Sequence, residues 1–223
     1  MKEIQTNCHY VVIDGLTGYA EGLELQQKAK ELVKGGASDC ILILLEHRPV
    51  FSIGKAGGGE NILMSEPFLK EKGIDIFQSD RGGNVTYHGP GQLVGYPIMN
   101  LKKFKTDVHW YFFQLEQVII DTLRESAVEG GRKEKYPGAW VGDRKIAAVG
   151  VHISRWITSH GFSYNVNVNK EHFRYINPCG ITEFGIASLD DFVQADLRRE
   201  RTRIKGNFQR VFGVELKELK TLD

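Results

Sequence analysis

Trp140-Val141-Gly142-Asp143-Arg144-Lys145-Ile146-Ala147-Ala148-Val149-Gly150-Val151-His152-Ile153 reads as two strands joined by a two-residue turn. Gly-Asp between short apolar runs suits a hairpin, because both turn positions tolerate positive φ. Lys145 then opens the returning strand. Downstream, the run from His160 to Val168 alternates polar and apolar residues and predicts the next strand. Asn177-Pro178-Cys179-Gly180-Ile181 follows. Pro178 turns the residue before it away from helix, and Gly180 lets the backbone approach a ligand closely. A thiol on a stiff turn and an amine at a strand start, 34 positions apart, are expected to meet.

Working outward, His9 to Ile13 reads as a first strand and Gly18 to Lys34 as an amphipathic helix. That helix has Leu25, Ala29, Leu32 and Val33 on one face and is stopped by Gly35-Gly36. Cys40-Ile41-Leu42-Ile43-Leu44-Leu45 is continuously apolar, the pattern of a central strand buried on both faces. Glu46 to Gly59 is expected to be a long loop, Ser65 to Lys72 a short helix and Ile74 to Gln78 a short strand. Leu93 to Ile98 predicts a strand. Val108 to Arg124 gives the clearest helix, with Tyr111, Leu115, Val118, Ile119 and Thr122 at helical spacing, and Glu129 to Lys135 a charged connection. Ser188-Leu189-Asp190-Asp191 carries a capping-box pattern. In the last helix, Leu197 to Phe212, the inward residues are Leu197, Ile204, Phe208 and Phe212. Its Arg198, Arg199, Arg201, Arg203 and Lys205 read as a solvated face. Strands and helices do not alternate strictly, which favours an α+β class over a doubly wound sheet.

Composition excludes several function classes. With 223 residues, 41% hydrophobic and 26% charged, the chain can bury a substantial core as one catalytic domain over 1–223. A net charge of +1 gives no support for nucleic-acid binding. No apolar run approaches a membrane span, and the start has no signal-peptide core, so a cytoplasmic protein away from membranes is expected. Three widely spaced cysteines argue against a disulfide framework and against a zinc site. Cys8 and Cys40 fall in apolar runs and read as buried thiols; Cys179 alone is flanked by turn residues.

Arg81-Gly82-Gly83-Asn84-Val85-Thr86-Tyr87-His88 belongs to a stretch, Asp80 to Gln92, with four glycines and a proline in thirteen residues. It is expected to be a shaped loop, either a wide hairpin connection or the wall of a binding pocket. It lacks the spacing and the Lys-Ser/Thr ending of a phosphate-binding loop.

These residues resemble one family. Arg81-Gly82-Gly83-x-x-Thr86-x-His88-x-Pro90-Gly91-Gln92-Leu93-Val94-x-Tyr96-Pro97 is similar to the signature of bacterial octanoyltransferases of lipoate synthesis, the lipoate–protein ligase B family. Glu46-His47-Arg48-Pro49-Val50 with Gly54, Gly142 to Ala147, Ser159-His160-Gly161, Asn165-Val166 and Pro178 to Ile181 match its other motifs in order. The similarity runs from about Tyr10 to Leu189, with Asn84 and Asn177 as small departures. It implies the fold of biotin and lipoate ligases, a mixed sheet flanked by helices. It also implies transfer of an octanoyl chain from acyl carrier protein to the lipoyl-domain lysine of 2-oxoacid dehydrogenases and of the glycine cleavage H protein. By the same resemblance Cys179 carries the chain as a thioester and Lys145 is its partner base. The substrate contacts fall on Arg81 to His88, on Ala148, Val149 and Gly150, and on Gly161, Phe162 and Ser163. No cofactor and no metal are implied, and a monomer is the default expectation.

The chemistry suits the residues. Thioester exchange onto a cysteine is near thermoneutral, and transfer to an amine is downhill, so no ATP is needed. A free thiol of pKa about 8.5 is only a few per cent thiolate at neutral pH. Lys145 could assist as a nearby cation or as a neutral amine that takes the proton, and the sequence leaves both open. His88 and His160 are alternative bases or loop-orienting residues. Small residues at Gly82, Gly83, Ala148, Gly150 and Gly161 would leave an apolar slot, or merely let strands pack. The rival readings are an ATP-dependent lipoate or biotin ligase, a carrier-binding module with an inert Cys179, and a cysteine-dependent thioesterase.

Overall fold

A computed structural model describes residues 6–177 and 184–222. The chain runs β1 (Cys8–Thr17), α1 (Tyr19–Lys34), β2 (Cys40–His47), β3 (Val50–Ile53), α2 (Glu66–Glu71), β4 (Asp75–Gln78), β5 (Val85–His88) and β6 (Gln92–Met99). It continues through α3 (Val108–Glu125), β7 (Gly131–Lys133), β8 (Tyr136–Val141), β9 (Arg144–Ser154), β10 (Ile157–Asn165), β11 (Gly185–Ile186), α4 (Leu197–Phe212) and β12 (Leu216–Glu218). Among the described residues nine strands form a mixed sheet in the order β12-β1-β2-β6-β10-β9-β8-β7, with β11 on β9. A second sheet has the order β4-β3-β5.

The apolar run at Cys40 sits inside the large sheet as expected, parallel to β1 and antiparallel to β6. Strand side chains alternate between faces. Cys40, Leu42 and Leu44 join the core under α3 and α4, with Tyr111, Leu115, Ile204 and Phe208. Ile41, Ile43 and Leu45 join the core under α1, with Ala29 and Val33. Both faces are covered, so the strand carries no polar residue until Glu46. Leu25 and Leu32 only flank that second core.

The turn at Gly142-Asp143 forms, with Gly142 at φ 57°, and Arg144 opens β9 one residue before Lys145. The next strand starts at Ile157, three residues earlier than expected, and ends at Asn165. Arg155 and Trp156 make its turn at φ 51° and 67°, in the left-handed region that Gly and Asn usually mark, so no residue type there signals a turn.

Three expectations need correction. Glu46 to Gly59 is not all loop, because Val50–Ile53 forms β3. Part of the Asp80 to Gln92 loop is strand, since Val85–His88 pairs antiparallel with β3. These partners lie some 35 residues apart, beyond what a local pattern reports. The charged connection after Glu129 likewise contains β7, three residues at the sheet edge. The capping box at Ser188 is present, with Asp191 accepting from the Ser188 N–H at 3.2 Å, and it opens a single 3-10 turn.

The basic side of α4 is not uniformly solvated. Arg201 is only 12% exposed and reaches Asp14 at 3.0 Å and Glu46 at 3.3 Å. Glu46 in turn accepts from the Gly91 N–H at 2.9 Å, so Arg201 ties the helix to the turn before β6. Lys205 lies 4.3 Å from the Tyr10 ring centroid. Removing Arg201 strands Glu46 with half its partners, so Arg201→Ala is expected to cost about 1–3 kcal/mol in urea unfolding. Arg198→Ala, on the exposed side, should stay within about 0.5 kcal/mol.

Candidate active site

A cavity of about 480 Å³ lies between the small sheet and the large one, a size usual for small-ligand sites. Its walls follow from strand alternation. On β9 and β10, Gly150 pairs with Gly161 and Ala148 with Ser163, and these four line the cavity. The intervening Val149 and Phe162 alternate to the other face and pack in the core under α3 and α4. On the facing side, Arg81, Gly82, Gly83, Asn84, Thr86 and His88 line it. Val85 and Tyr87 do not; they are fully buried in the small-sheet core, with Tyr87 hydrogen-bonded to His172 Nδ1 at 2.7 Å. The sequence therefore located this wall but could not say which residues of an extended segment face inward.

The glycine wall is fastened at several points. Gly82 N–H donates to Val151 O at 3.0 Å, and Lys55 and Ala56 N–H groups donate to Arg81 O and Gly83 O at 2.9 and 3.1 Å. The Arg81 guanidinium is buried and donates to Ser52 Oγ at 3.0 Å and to Gly82 O at 3.0 Å. Asp80 accepts from His160 Nε2 at 2.6 Å and from His152 Nδ1 at 2.5 Å, since a carboxylate can only accept. Burial alone would raise the Asp80 pKa, but the two imidazole donors outweigh it and hold the carboxyl at about 2. Burial lowers the His160 pKa against the pull of Asp80. His160 thus fastens Asp80 at the start of this wall.

At the far end stand side chains that the pattern reading did not single out as site residues. Tyr19 at the start of α1 and Tyr96 on β6 line the cavity beside His88. His47 Nδ1 donates to Thr17 O at 3.0 Å, which fixes the tautomer, so Nε2 accepts the Tyr96 hydroxyl at 2.6 Å. Gln92 Nε2 donates to Tyr87 O and to Asn165 Oδ1 at 3.2 and 2.9 Å, so its oxygen accepts from His88 Nδ1 at 2.8 Å. The Tyr19 hydroxyl donates to Ser79 Oγ at 3.0 Å. Burial pushes His47 down to about 4 and His88 well below its usual value, so both imidazoles are neutral at physiological pH. This end is polar in composition yet internally hydrogen-bonded and uncharged. Both His47 and Tyr96 lie in conspicuous motifs; Tyr19 had no local signal.

Lys145 stands where this cavity meets a smaller one of about 40 Å³. Its backbone is held from both sides: β8 pairs Trp140 with it, and β11 pairs Ile186 with it in parallel register. The Ala187 N–H donates to Lys145 O at 2.9 Å. Its ammonium lies 5.3 Å from the Trp140 ring centroid. Its stem passes over Gly138, where a Cβ would come within 2.9 Å of Lys145 Cε. Gly161 also serves strand packing, because a Cβ there would meet Gly95 O at 2.2 Å. Cys179, with Pro178, Gly180 and Ile181, lies outside the described residues. Before it, Asn177 N–H donates to Asn61 O at 2.8 Å; after it, the chain re-enters at β11 beside Lys145. Cys8 and Cys40 are buried free thiols. Among the described residues no group of three or more His, Cys, Asp or Glu could hold a metal ion, and no helix is long and apolar enough to cross a membrane.

This architecture and sequence have known relatives. Residues 18–207 match the family model described as the lipoyl protein ligase A/B catalytic domain. A Clostridium kluyveri protein named octanoyltransferase is 52% identical over 217 residues, covering 97% of this chain and 93% of that one. The crystal structure of a lipoate-protein ligase A bound with ATP superposes with a TM-score of 0.77 at 16% identity, over 96% of this chain and 89% of that one. Biotin protein ligase from Aquifex aeolicus gives a TM-score of 0.53 at 14% identity, over 92% of this chain and 72% of that one. The two structures speak to the fold alone, and they bear out the mixed sheet flanked by helices. With a family model spanning most of its length and a relative sharing half its residues, this chain belongs to the lipoyl protein ligase A/B catalytic-domain family.

Proposed function

We propose that the protein is an octanoyltransferase that takes the chain from acyl carrier protein and delivers it to the lysine of a lipoyl domain. Cys179 carries the acyl group as a thioester, and Lys145 is its partner base. The observation that carries this reading is the cavity of about 480 Å³ with Lys145 at its junction with the smaller one. The Clostridium kluyveri relative bears the same name for its activity. Further support comes from β11, the first described strand after Cys179 in sequence, whose register runs along Arg144 and Lys145.

Lys145 takes the Cys179 proton, the thiolate attacks the donor thioester carbonyl, and the carrier sulfur leaves as a thiolate that takes this proton back from Lys145. The neutral acceptor amine then attacks the new thioester, the C–S bond breaks to release the Cys179 thiolate, and the amine's proton passes through Lys145 to that thiolate. Each buried methylene is worth about 0.8 kcal/mol, so an eight-carbon chain gains several kcal/mol from the slot. In the group of Tyr19, Tyr96, His47 and His88 both hydroxyls already donate to protein partners, so a methyl end that covers it strands neither. Burial weakens His88 as a base, which favours Lys145 for that role.

The test is an intact mass after mixing with octanoyl-acyl carrier protein. An added octanoyl group is expected, removable by hydroxylamine and absent in Cys179→Ala. Activity from free octanoate and ATP that survives Cys179→Ala overturns the reading in favour of a ligase.

A further inference from the structure

Beside Lys145 lies a group of side chains that the acyl-transfer steps above do not use. The rings of Tyr136, Trp140 and Phe184 stand 5.3 to 6.1 Å apart, centroid to centroid. Lys133 lays its ammonium 4.3 Å from the Phe184 centroid and 5.3 Å from that of Trp140, and 2.6 Å from the Asp143 carboxylate. Aromatic faces attract a cation through the ring quadrupole, and a carboxylate at the rim adds charge complementarity. That is the chemistry of a site for a lysine side chain, and here the chain's own Lys133 fills it. The group opens to solvent: Tyr136 and Phe184 are half-buried, the Lys133 side chain is 24% exposed and that of Asp143 is 83% exposed. It also adjoins the reacting region, for Tyr136 lines the larger cavity, Trp140 and Phe184 the smaller, and Lys145 both.

We propose that Tyr136, Trp140 and Phe184 form the platform that receives the acceptor's lysine, with Lys133 holding the place until the acceptor displaces it. The inference rests on the acyl-transfer reading and names the surface used by its second substrate. A lysine amine of pKa about 10.4 arrives almost wholly protonated. The ring faces hold that cation and its alkyl stem in line with Lys145, where the proton must be lost before the amine attacks. A purely structural role, in which Lys133 and Asp143 brace the corner of β7, β8 and β9, would affect folding but not the use of one substrate over the other.

The experiment measures the half-reactions separately: octanoyl loading by intact mass, then transfer to a lipoyl domain over a range of acceptor concentrations. In Phe184→Leu the acceptor KM is expected to rise at least threefold more than the loading rate falls, while Phe184→Tyr restores it. Lys133→Met, which removes the competing ammonium, should lower the acceptor KM about twofold to threefold. An unchanged acceptor KM in Phe184→Leu, or a raised one in Lys133→Met, overturns the platform. Failure of the wild-type protein to load any acyl group is a different result: it overturns the acyl-transfer reading, and the platform falls with it.

Discussion

Replacing Lys145 with methionine lowers the octanoyl transfer rate by about 10²- to 10⁴-fold, the range for losing a positioned acid–base group. Methionine keeps an unbranched stem of similar length over Gly138 and against Trp140, so the site stays packed and only the amine is lost. The melting temperature, followed by circular dichroism, should therefore move by only a few degrees. A large fall in melting temperature, or a rate within tenfold of wild type, contradicts a chemical role. Lys145→Arg separates the two ways in which the amine can act. A guanidinium keeps the charge but cannot surrender its proton in a protein. Retention of most of the rate in the arginine variant means that the cation alone favours the thiolate. A loss as deep as that of methionine means that proton acceptance is required.

Gly138→Ala is expected to damage both stability and activity. Gly138 sits at φ +133°, a conformation that L side chains rarely adopt, and a Cβ there would stand 2.2 Å from Ala147 O. Strain and overlap together cost about 2–5 kcal/mol. For a chain of this size that lowers the melting temperature by about 5–15 °C. The same Cβ would lie 2.9 Å from Lys145 Cε, so the amine moves as well and transfer slows beyond what unfolding explains. The Gly138 N–H also donates to Glu116 Oε1 at 2.8 Å, and a shifted backbone leaves that buried carboxylate short of a partner. Gly142→Asn is the matching control. Gly142 is left-handed too, at φ 57°, but nothing lies within 4 Å of its missing Cβ, and Asn tolerates that region. Its cost should stay below about 1 kcal/mol. Equal damage from the two substitutions would contradict the assignment of the Gly138 loss to overlap with Ala147 O and Lys145 Cε.

Some parts of this protein are encoded by consecutive residues and could be read without coordinates. The Gly142-Asp143 turn put Lys145 near the start of a strand. The unbroken apolar run at Cys40 specified a strand covered on both faces, and the helical spacing from Tyr111 to Thr122 specified the buried stripe of α3. The glycine stretch at Arg81 was legible as a shaped loop, either a hairpin connection or a wall, and the sequence left both open. Tertiary structure alone decided the rest. It separated Arg81, Thr86 and His88, which face the cavity, from Val85 and Tyr87, which do not. It turned Arg201 from a solvated charge into a tether, joined Asp80 to two histidines more than 70 positions away, and gathered Tyr19, His47 and Tyr96 into one neutral end wall. The physical reason is the range of the forces that set each feature. Periodicity and turn chemistry act between residues a few positions apart, whereas which face of a strand turns inward depends on a register fixed by partners far along the chain.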